Sequence, residues 1–591
     1  MAVWQDGELN EEQIAAIEEA ESVFLIACPG SGKTRVVTYK IANELSKLDL
    51  NKEWVVAITY TNRAAGEIQD RIESMGVSTD QLWIGTIHSF CLEWIIKPYG
   101  IYHSDLKNGY RLINSHDTER MLSELCSNSP QPRPTHWDCD HYFDSNGINI
   151  RCTNNRRENV ALVLEEYGLL LREKKQIDFE RILWFSYQLV TSIPHISQIL
   201  SKLFKNILID EFQDTKEIQY QIVSSILNAG NNTVKCFIVG DPNQSIFNSL
   251  GGYAISIEEF SAMSGIIFKP MQLSKNYRNS QEIVNYFSNF KVFDSAILSE
   301  AEHRDYASLI SFNNQTSRQN IVAEIARLIR INVEQHQVPM SEISVVGPWW
   351  IHLAALTRGL VAELPDYRFN GPGLTPFVRD IENIWYKLSR IIFTKPSPRL
   401  YIRRLRWAKE IILFLSDLGI DTKNLSPKIL LKTINATCID EQDGLQFLSL
   451  FFNEVFSTLG ISWNEYDCLK EHRDAFFDSA SARINRIRNE GIDYADDVQA
   501  FYKAFEIRDG ITVSSIHGVK GAEFDTVIAF ALLEGAVPHF NEPNKRESAN
   551  KLLYVICSRA RKNLHLISET GRNQDRPTLE LQELNYNYSL I

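Results

Sequence analysis

The chain has 591 residues, a formal net charge of −13, and 44% hydrophobic against 23% charged residues. That length is several domains' worth of sequence at roughly 100–200 residues each, and it can bury more than one core without disulfides or metals. The composition excludes a mainly disordered chain. A pI of about 5.6 excludes a small, uniformly basic nucleic-acid binder, but not a large enzyme with a local basic channel.

No apolar run approaches the roughly 18 residues of a membrane span. The first residues, Met1 to Glu8, lack the basic and apolar regions of a secretory signal. Nine cysteines, odd in number and without Cys-x-x-Cys, fit a reduced, cytoplasmic compartment.

In chain order, a helical pattern (Asn10 to Ala20) leads to an apolar run (Val23 to Ala27), a Gly-rich turn and a helix from Lys33. A second apolar run (Val55 to Tyr60) feeds a helix from Asn62 to Ser74, and a third covers Leu82 to Thr86. This alternation predicts βα units around a parallel sheet. Strands of the same buried character are predicted at Asn206 to Asp210 and Lys235 to Gly240, then at Ile343 to Gly347, Ile511 to Ile516, Thr526 to Phe530 and Asn563 to Ile567. Two mainly helical stretches interrupt the pattern. The first contains a Pro-, Asn-, Asp- and Arg-rich segment, Asn128 to Asn155, that reads as a long loop.

Ala27-Cys28-Pro29-Gly30-Ser31-Gly32-Lys33-Thr34 follows a strand and opens a helix, the context of a P-loop. Its backbone N–H groups and the helix N-terminus suit phosphate oxygens. Lys33 would neutralise the β- and γ-phosphates of ATP, and the Thr34 hydroxyl would ligate Mg²⁺. Ala27 stands where the motif has its first glycine. A second apolar strand, Ile207-Leu208-Ile209, ends in Asp210-Glu211. Asp210 suits Mg²⁺ and Glu211 suits a general base for water. Alone, such a strand end is more often a helix cap or a solvated loop.

These two motifs, with others in fixed order, resemble the UvrD/Rep-type superfamily 1 DNA helicases across nearly the whole chain. The resemblance implies an α/β fold of two RecA-like P-loop lobes with parallel sheets, each carrying a mainly helical insertion. The first lobe would comprise residues 1–90 and 200–272, with insertion 91–199; the second, 273–380 and 508–591, with insertion 381–507. Gln13 matches the residue that reads adenine, and Arg35 and Tyr277 the pair that sandwiches it. Gln244 in Val239-Gly240-Asp241-Pro242-Asn243-Gln244-Ser245-Ile246-Phe247 matches the γ-phosphate sensor. Arg278 and Arg559 match the arginine fingers, and Glu523 a nucleotide contact. Tyr60 and Asn62, with Thr86 and His88, match contacts to single-stranded DNA, where stacking and backbone contacts give sequence-tolerant grip. Taken singly, each arginine would read as a surface salt bridge and Tyr60 as packing.

The implied activity is an ATP- and Mg²⁺-dependent DNA helicase or translocase on single strands and duplex junctions, moving 3′ to 5′. The alternative is a nucleotide-gated DNA sensor or partner-recruiting ATPase without autonomous unwinding. Ser249 replaces a usual DNA-stacking tryptophan and favours the alternative. Compact size resembles accessory helicases of anti-phage systems such as the Gabija helicase subunit, which implies an OLD-family nuclease partner; the short stretch after Arg559 leaves no room for a fused nuclease. A basic, aromatic-rich run from Asn383 to Lys409 suits a duplex-facing patch or, equally, a solvated or partner-binding face. Cys126, His136, Cys139, His141 and Cys152 fit no familiar zinc spacing and read as incidental loop residues.

Overall fold

The computed structural model of the chain describes residues 3–48, 52–113, 115–152, 154–247, 251–372, 383–489, 497–505, 510–542, 544–572 and 576–591. Six strands form the first sheet: β1 (Val23–Ala27), β2 (Trp54–Thr59), β3 (Leu82–Thr86), β4 (Phe204–Asp210), β5 (Lys235–Gly240) and β6 (Lys269–Leu273). Their spatial order is β6-β1-β5-β4-β2-β3 and every pairing is parallel. The continuous apolar run of β1 follows from helices covering both faces. Val23, Leu25 and Ala27 enter one core with Val36 and Ile68, whereas Phe24 enters the opposite core with Phe90 and Phe212.

The second sheet repeats the plan with β7 (Ile310–Asn313), β8 (Ile343–Gly347), β9 (Phe369–Asn370), β10 (Ile511–Ser515), β11 (Phe524–Ala529) and β12 (Ala560–Ile567). Its order is β7-β12-β11-β8-β10-β9, again all parallel. We call the two sheets with their flanking helices the first and second lobes. Strands β6, β7 and β9 have no counterpart in the apolar pattern. All three are edges, and β6 carries Pro270, which lacks the N–H that a central strand needs.

The stretch between β3 and β4 differs from its reading as a loop. It holds a 3₁₀ turn, His136–Cys139, and an antiparallel hairpin, His141–Asp144 with Gly147–Ile150. Ser145 and Asn146 form its two-residue turn, and Asn146 N donates to Asp144 Oδ1 at 2.7 Å. Phe143 is driven inward and stacks on Trp184, with centroids 5.1 Å apart. The Cys126 and Cys139 thiols lie 3.5 Å apart. Among the described residues no group of three or more His, Cys, Asp or Glu side chains is placed to hold a metal.

The stretch between β9 and β10 is a helical unit around Trp385, Phe452 and Phe456. Much of its basic run is engaged at short range. Arg404 is buried and bonds Ile391 O and Asn435 Oδ1. Arg390 lies 3.9 Å over the Trp407 ring, and Arg406 pairs with Asp70 of the first lobe. Lys395, Arg403 and Lys409 are exposed. Among the described residues no helix is long and apolar enough to cross a membrane.

One buried polar cluster fixes the middle of the second sheet. Asn332 Oδ1 accepts from Thr526 Oγ1 at 2.8 Å and Asn563 Nδ2 at 2.9 Å, and its Nδ2 reaches Leu328 O and His565 Nε2 at 2.9 Å each. Burial pushes the His565 imidazole down to about 3, so it stays neutral. Each buried polar group stripped of its partner costs about 1–3 kcal/mol. Asn332→Leu is therefore expected to lower the urea midpoint of the second lobe, whereas a midpoint equal to the parent would show that the cluster is dispensable.

Candidate nucleotide and nucleic-acid site

All carboxyl ends of the first sheet lie on one edge, where ligands of parallel α/β sheets sit. The P-loop leaves β1 there. Ala27, Cys28 and Pro29 are buried, and burial pushes the Cys28 thiol up to about 12, so it is inert packing. Ser31 Oγ donates to Cys28 O at 2.7 Å, closing the loop before the helix Lys33–Leu45 begins. Gly30 has φ +68, and a side chain there would lie 2.5 Å from Arg278 Cβ. The residue type is thus dictated by backbone conformation and by close approach of a segment from the far side of the cleft.

That segment carries Tyr277 and Arg278. Tyr277 N donates to Gly30 O at 2.9 Å, and Asn276 Nδ2 donates to Pro29 O at 2.7 Å. Tyr277 is 44% exposed, and Arg35 is exposed on the first turn of the P-loop helix. Gln13 is buried, and its amide is already engaged. Its Oε1 accepts from Asn10 N at 3.0 Å as part of a capping box, and its Nε2 donates to Ser31 O at 2.9 Å. It braces the P-loop, a task that the adenine-reading expectation did not include.

Four carboxylates converge beyond β4 and β5: Asp210, Glu211, Asp214 and Asp241. Asp210, Asp214 and Asp241 are buried, and burial pushes all three carboxyls up. For Asp214 the value reaches about 7, with Lys520 opposing the rise. Asp210 is raised further by the adjacent Glu211. Glu211 behaves oppositely. Burial would raise it, but the charges of Lys33, Lys520 and Arg559 and a hydrogen bond from Gln213 prevail and hold it below the ordinary glutamate range. It is the ionised member of the set. Its φ of 54 lies in the left-handed region, strained for a residue of this type. Gln213 bridges the cluster, donating to Glu211 Oε2 and accepting from Asp241 N at 3.0 Å. Only a glycine at 240 leaves space for it, since a methyl there would collide with Gln213 Oε1 and the Phe212 ring.

The compensating cations come largely from the second lobe. Lys520 Nζ bonds Asp214 Oδ2, and Gln244 O at 2.7 Å. Arg559 is 1% exposed. Its Nη2 donates to Gln244 Oε1 at 2.6 Å, and Gln244 Nε2 donates to Asp241 Oδ2 at 2.7 Å. Burial and the neighbouring Arg278 charge pull the Arg559 guanidinium down to about 9. Arg278 Nε donates to Glu523 Oε2 at 2.7 Å, and Glu523 also faces Arg561 at 3.5 Å. The structure thus gathers Lys33, Glu211, Gln244, Arg278 and Arg559 around one cleft, with Glu523 at its rim. Lys520, Gln213, Asp214 and Asp241 belong to the same cluster and were assigned no role from sequence.

Tyr60, Asn62, Thr86 and His88 line a second cavity of about 520 Å³ at the ends of β2 and β3. Asn62 is exposed. The Thr86 hydroxyl caps the helix that follows, accepting from Ser89 N at 3.4 Å. Burial, helped by the Lys216 charge, pushes His88 down to about 4, so its imidazole is neutral in the fold. Tyr60 is 46% exposed and its ring lies 5.1 Å from Phe247. Phe247 in turn lies 5.1 Å from the His517 ring of the second lobe. Ser249 lies outside the described residues.

Thr34 and Asp210 are hard oxygen donors of the kind Mg²⁺ takes. Asp210 Oδ1 accepts from Glu211 N at 3.0 Å, and its buried carboxyl stays raised despite the nearby Lys33 charge, a fit for a divalent cation. Carboxyls raised in the fold favour it at low pH, and that contribution is lost as pH rises from the ordinary aspartate range through about 7. Burial and the Glu211 charge push the Asp210 carboxyl up to about 7, so cation binding, which needs its ionised form, gains as pH rises through that value. The affinity for a magnesium complex of a non-hydrolysable ATP analogue is expected to rise about fivefold or more from pH 6 to pH 8. Calorimetric titration checks this, and a flat profile contradicts it.

Sequence comparisons agree with this geometry. Residues 9–263 match the UvrD/REP helicase N-terminal domain, and residues 492–571 match the UvrD-like helicase C-terminal domain. The ATP-dependent DNA helicase PcrA of Staphylococcus epidermidis is 22% identical over 98% of this chain and 86% of its own length. DNA helicase II of Haemophilus influenzae is 24% identical over 92% of this chain and 81% of its own. DNA helicase II of Salmonella typhimurium is 32% identical over 47% of this chain and 39% of its own. With both domains matched in order on two parallel-sheet lobes that meet at one cleft, the chain belongs to the UvrD/Rep helicase family.

Proposed function

We propose that the chain is an ATP-dependent DNA helicase in which hydrolysis in the cleft between the lobes drives movement along single-stranded DNA. One observation carries the reading. The segment Asp241 to Phe247 has Gln244 at the nucleotide cleft and, three residues on, Phe247 beside Tyr60 and His517. A shift at one end must be felt at the other.

Lys33 meets the β- and γ-phosphates, and Arg35 and Tyr277 flank the base. Mg²⁺, held through Thr34 and Asp210, supplies neutralisation of phosphate charge when bound. Glu211, kept ionised by its cationic neighbours, takes the proton of the attacking water. Arg278 and Arg559 stabilise charge on the transferred group. Arg559 belongs to the second lobe and Arg278 to the segment entering it, so the charge they supply depends on how the lobes close. Tyr60, Asn62, Thr86 and His88 hold the strand. By resemblance, movement is 3′ to 5′ and the partner is an OLD-family nuclease; nine cysteines without Cys-x-x-Cys support a cytoplasmic location.

Steady-state ATP hydrolysis tests the reading. Single-stranded DNA is expected to stimulate the parent protein. Lys33→Ala and Glu211→Gln are each expected to lose about a hundredfold or more in kcat. A 3′-tailed duplex should be unwound in preference to a 5′-tailed one. Hydrolysis indifferent to DNA, with neither duplex opened, would replace the motor with a nucleotide-gated sensor.

A further inference from the structure

The first insertion holds two thiols in contact. Cys126 lies in the last turn of the helix Ser115–Asn128, and Cys139 ends the 3₁₀ turn His136–Cys139. Both are buried, at 3% and 1% exposure, among Met121, Leu122, Val160 and Val163. Their sulfurs are 3.5 Å apart, so an approach of about 1.5 Å brings them to the bonding distance of a disulfide. Cys152 shares the cluster, but its thiol donates to Asn154 Oδ1 at 3.1 Å.

Polar contacts fix this approach. Asp138 Oδ2 accepts from Thr135 N and Thr135 Oγ1 at 2.8 Å each, and from Arg156 Nη1 at 3.0 Å. Between the two cysteines, the carbonyls of Pro130 and Pro132 accept from Asn159 Nδ2. Groups held side by side react with little further loss of freedom. The two thiols differ in kind. Burial raises Cys126, and a hydrogen bond from Cys139 opposes the rise. Burial also raises Cys139, and its contact with Cys126 raises it further. Cys126 is thus the first to supply a thiolate, and Cys139 is placed to answer it.

We propose that Cys126 and Cys139 are an oxidation site, a dithiol that hydrogen peroxide closes into a disulfide at the base of the hairpin 141–150. The Cys126 sulfur attacks the peroxide. An S–O bond forms, the O–O bond breaks, and hydroxide leaves as water with the thiol proton. The Cys139 sulfur then attacks the Cys126 sulfur. The S–S bond forms, the S–O bond breaks, and a second water leaves with the Cys139 proton. Two electrons pass from the sulfurs to the peroxide. Burial slows the first step, because the thiolate is the attacking form, and then screens the closed bond from outside thiols. The bond ties the chain that enters the hairpin to the helix Ser115–Asn128. The hairpin itself reaches Glu217 of the first lobe through Ser145, so oxidation fixes the base of an element that touches that lobe.

Peroxide treatment of the full chain tests this. The folded protein is incubated with hydrogen peroxide, quenched, unfolded, alkylated with N-ethylmaleimide and mapped by mass spectrometry. In most molecules Cys126 and Cys139 are expected to escape alkylation, with their peptides joined. Dithiothreitol applied to the unfolded chain before alkylation should release both. Cys139→Ala should leave Cys126 as a sulfenic acid that dimedone traps, whereas Cys126→Ala should leave Cys139 a free thiol. The parent map decides the matter even where a variant fails to fold. Alkylation of both cysteines in the treated parent, a link from Cys126 to Cys152, or oxygen added to Cys126 without a link would each overturn the proposal.

Discussion

Buried negative charge at the end of one sheet is the constraint on which the rest depends. Asp210, Glu211, Asp214 and Asp241 converge where β4 and β5 end, and three of them are withdrawn from water. Desolvated carboxylates are tolerated only with cations or protons close by. The first lobe supplies Lys33, and the second supplies Lys520 and Arg559 through contacts with Asp214 and Gln244. The lobes are therefore joined by charge compensation as well as by packing. Nucleotide phosphates would compete for the same cations, so occupancy of the cleft and the spacing of the lobes are one equilibrium. A ligand moves such an equilibrium only through its different affinity for the two arrangements.

The segment after β5 joins the carboxylate cluster to the aromatic residues at Tyr60. Asp241 anchors it by accepting from Gln244 and Tyr554. Asn243 ties it to the backbone of Val292 and Phe293. Its end, Phe247, packs under Tyr60 with Lys520 5.2 Å over its ring. Lys520 thus touches both ends of the path, one through Asp214 and the other through Phe247. A single cation from the second lobe reports on the carboxylates and on the aromatic track together.

Much of this was legible in the residues. The central strands announced themselves because strands buried on both faces must be apolar throughout, and the P-loop because its glycines and lysine have few other uses. The edge strands were silent, since half-exposed pairs such as Phe369–Asn370 need no apolar run. The hairpin at His141–Asp144 was hidden by the polar residues around it, although Tyr142, Phe143, Ile148 and Ile150 flank a turn-forming Ser-Asn-Gly. The carboxylate cluster was half visible. Asp210 and Glu211 end an apolar strand, but nothing in sequence says that Lys520, some 300 residues on, meets Asp214. Gln13 shows the reverse problem: its place in a motif was clear, and its bracing of Ser31 was not.

The insertions attach by a different kind of contact. The first is tied to the nucleotide machinery through its hairpin. Tyr142 packs against Gly251 just beyond Phe247, and Ser145 Oγ donates to Glu217 Oε1 at 3.2 Å. The second meets the first lobe and the first insertion through Arg406–Asp70, Arg111–Glu471 and Lys97–Asp417, whose side chains all keep contact with solvent. Ion pairs of that kind are worth about 0–1 kcal/mol each and weaken with salt. The core of the second insertion, around Trp385, is its own. The second insertion also reaches the cavity at Tyr60 and Thr86, which Ala475, Phe476 and Ser479 help to line, whereas the hairpin lies against the segment that carries Gln244. The two insertions thus meet the first lobe at different places, one beside the segment after β5 and the other at exposed ion pairs and the cavity below Tyr60.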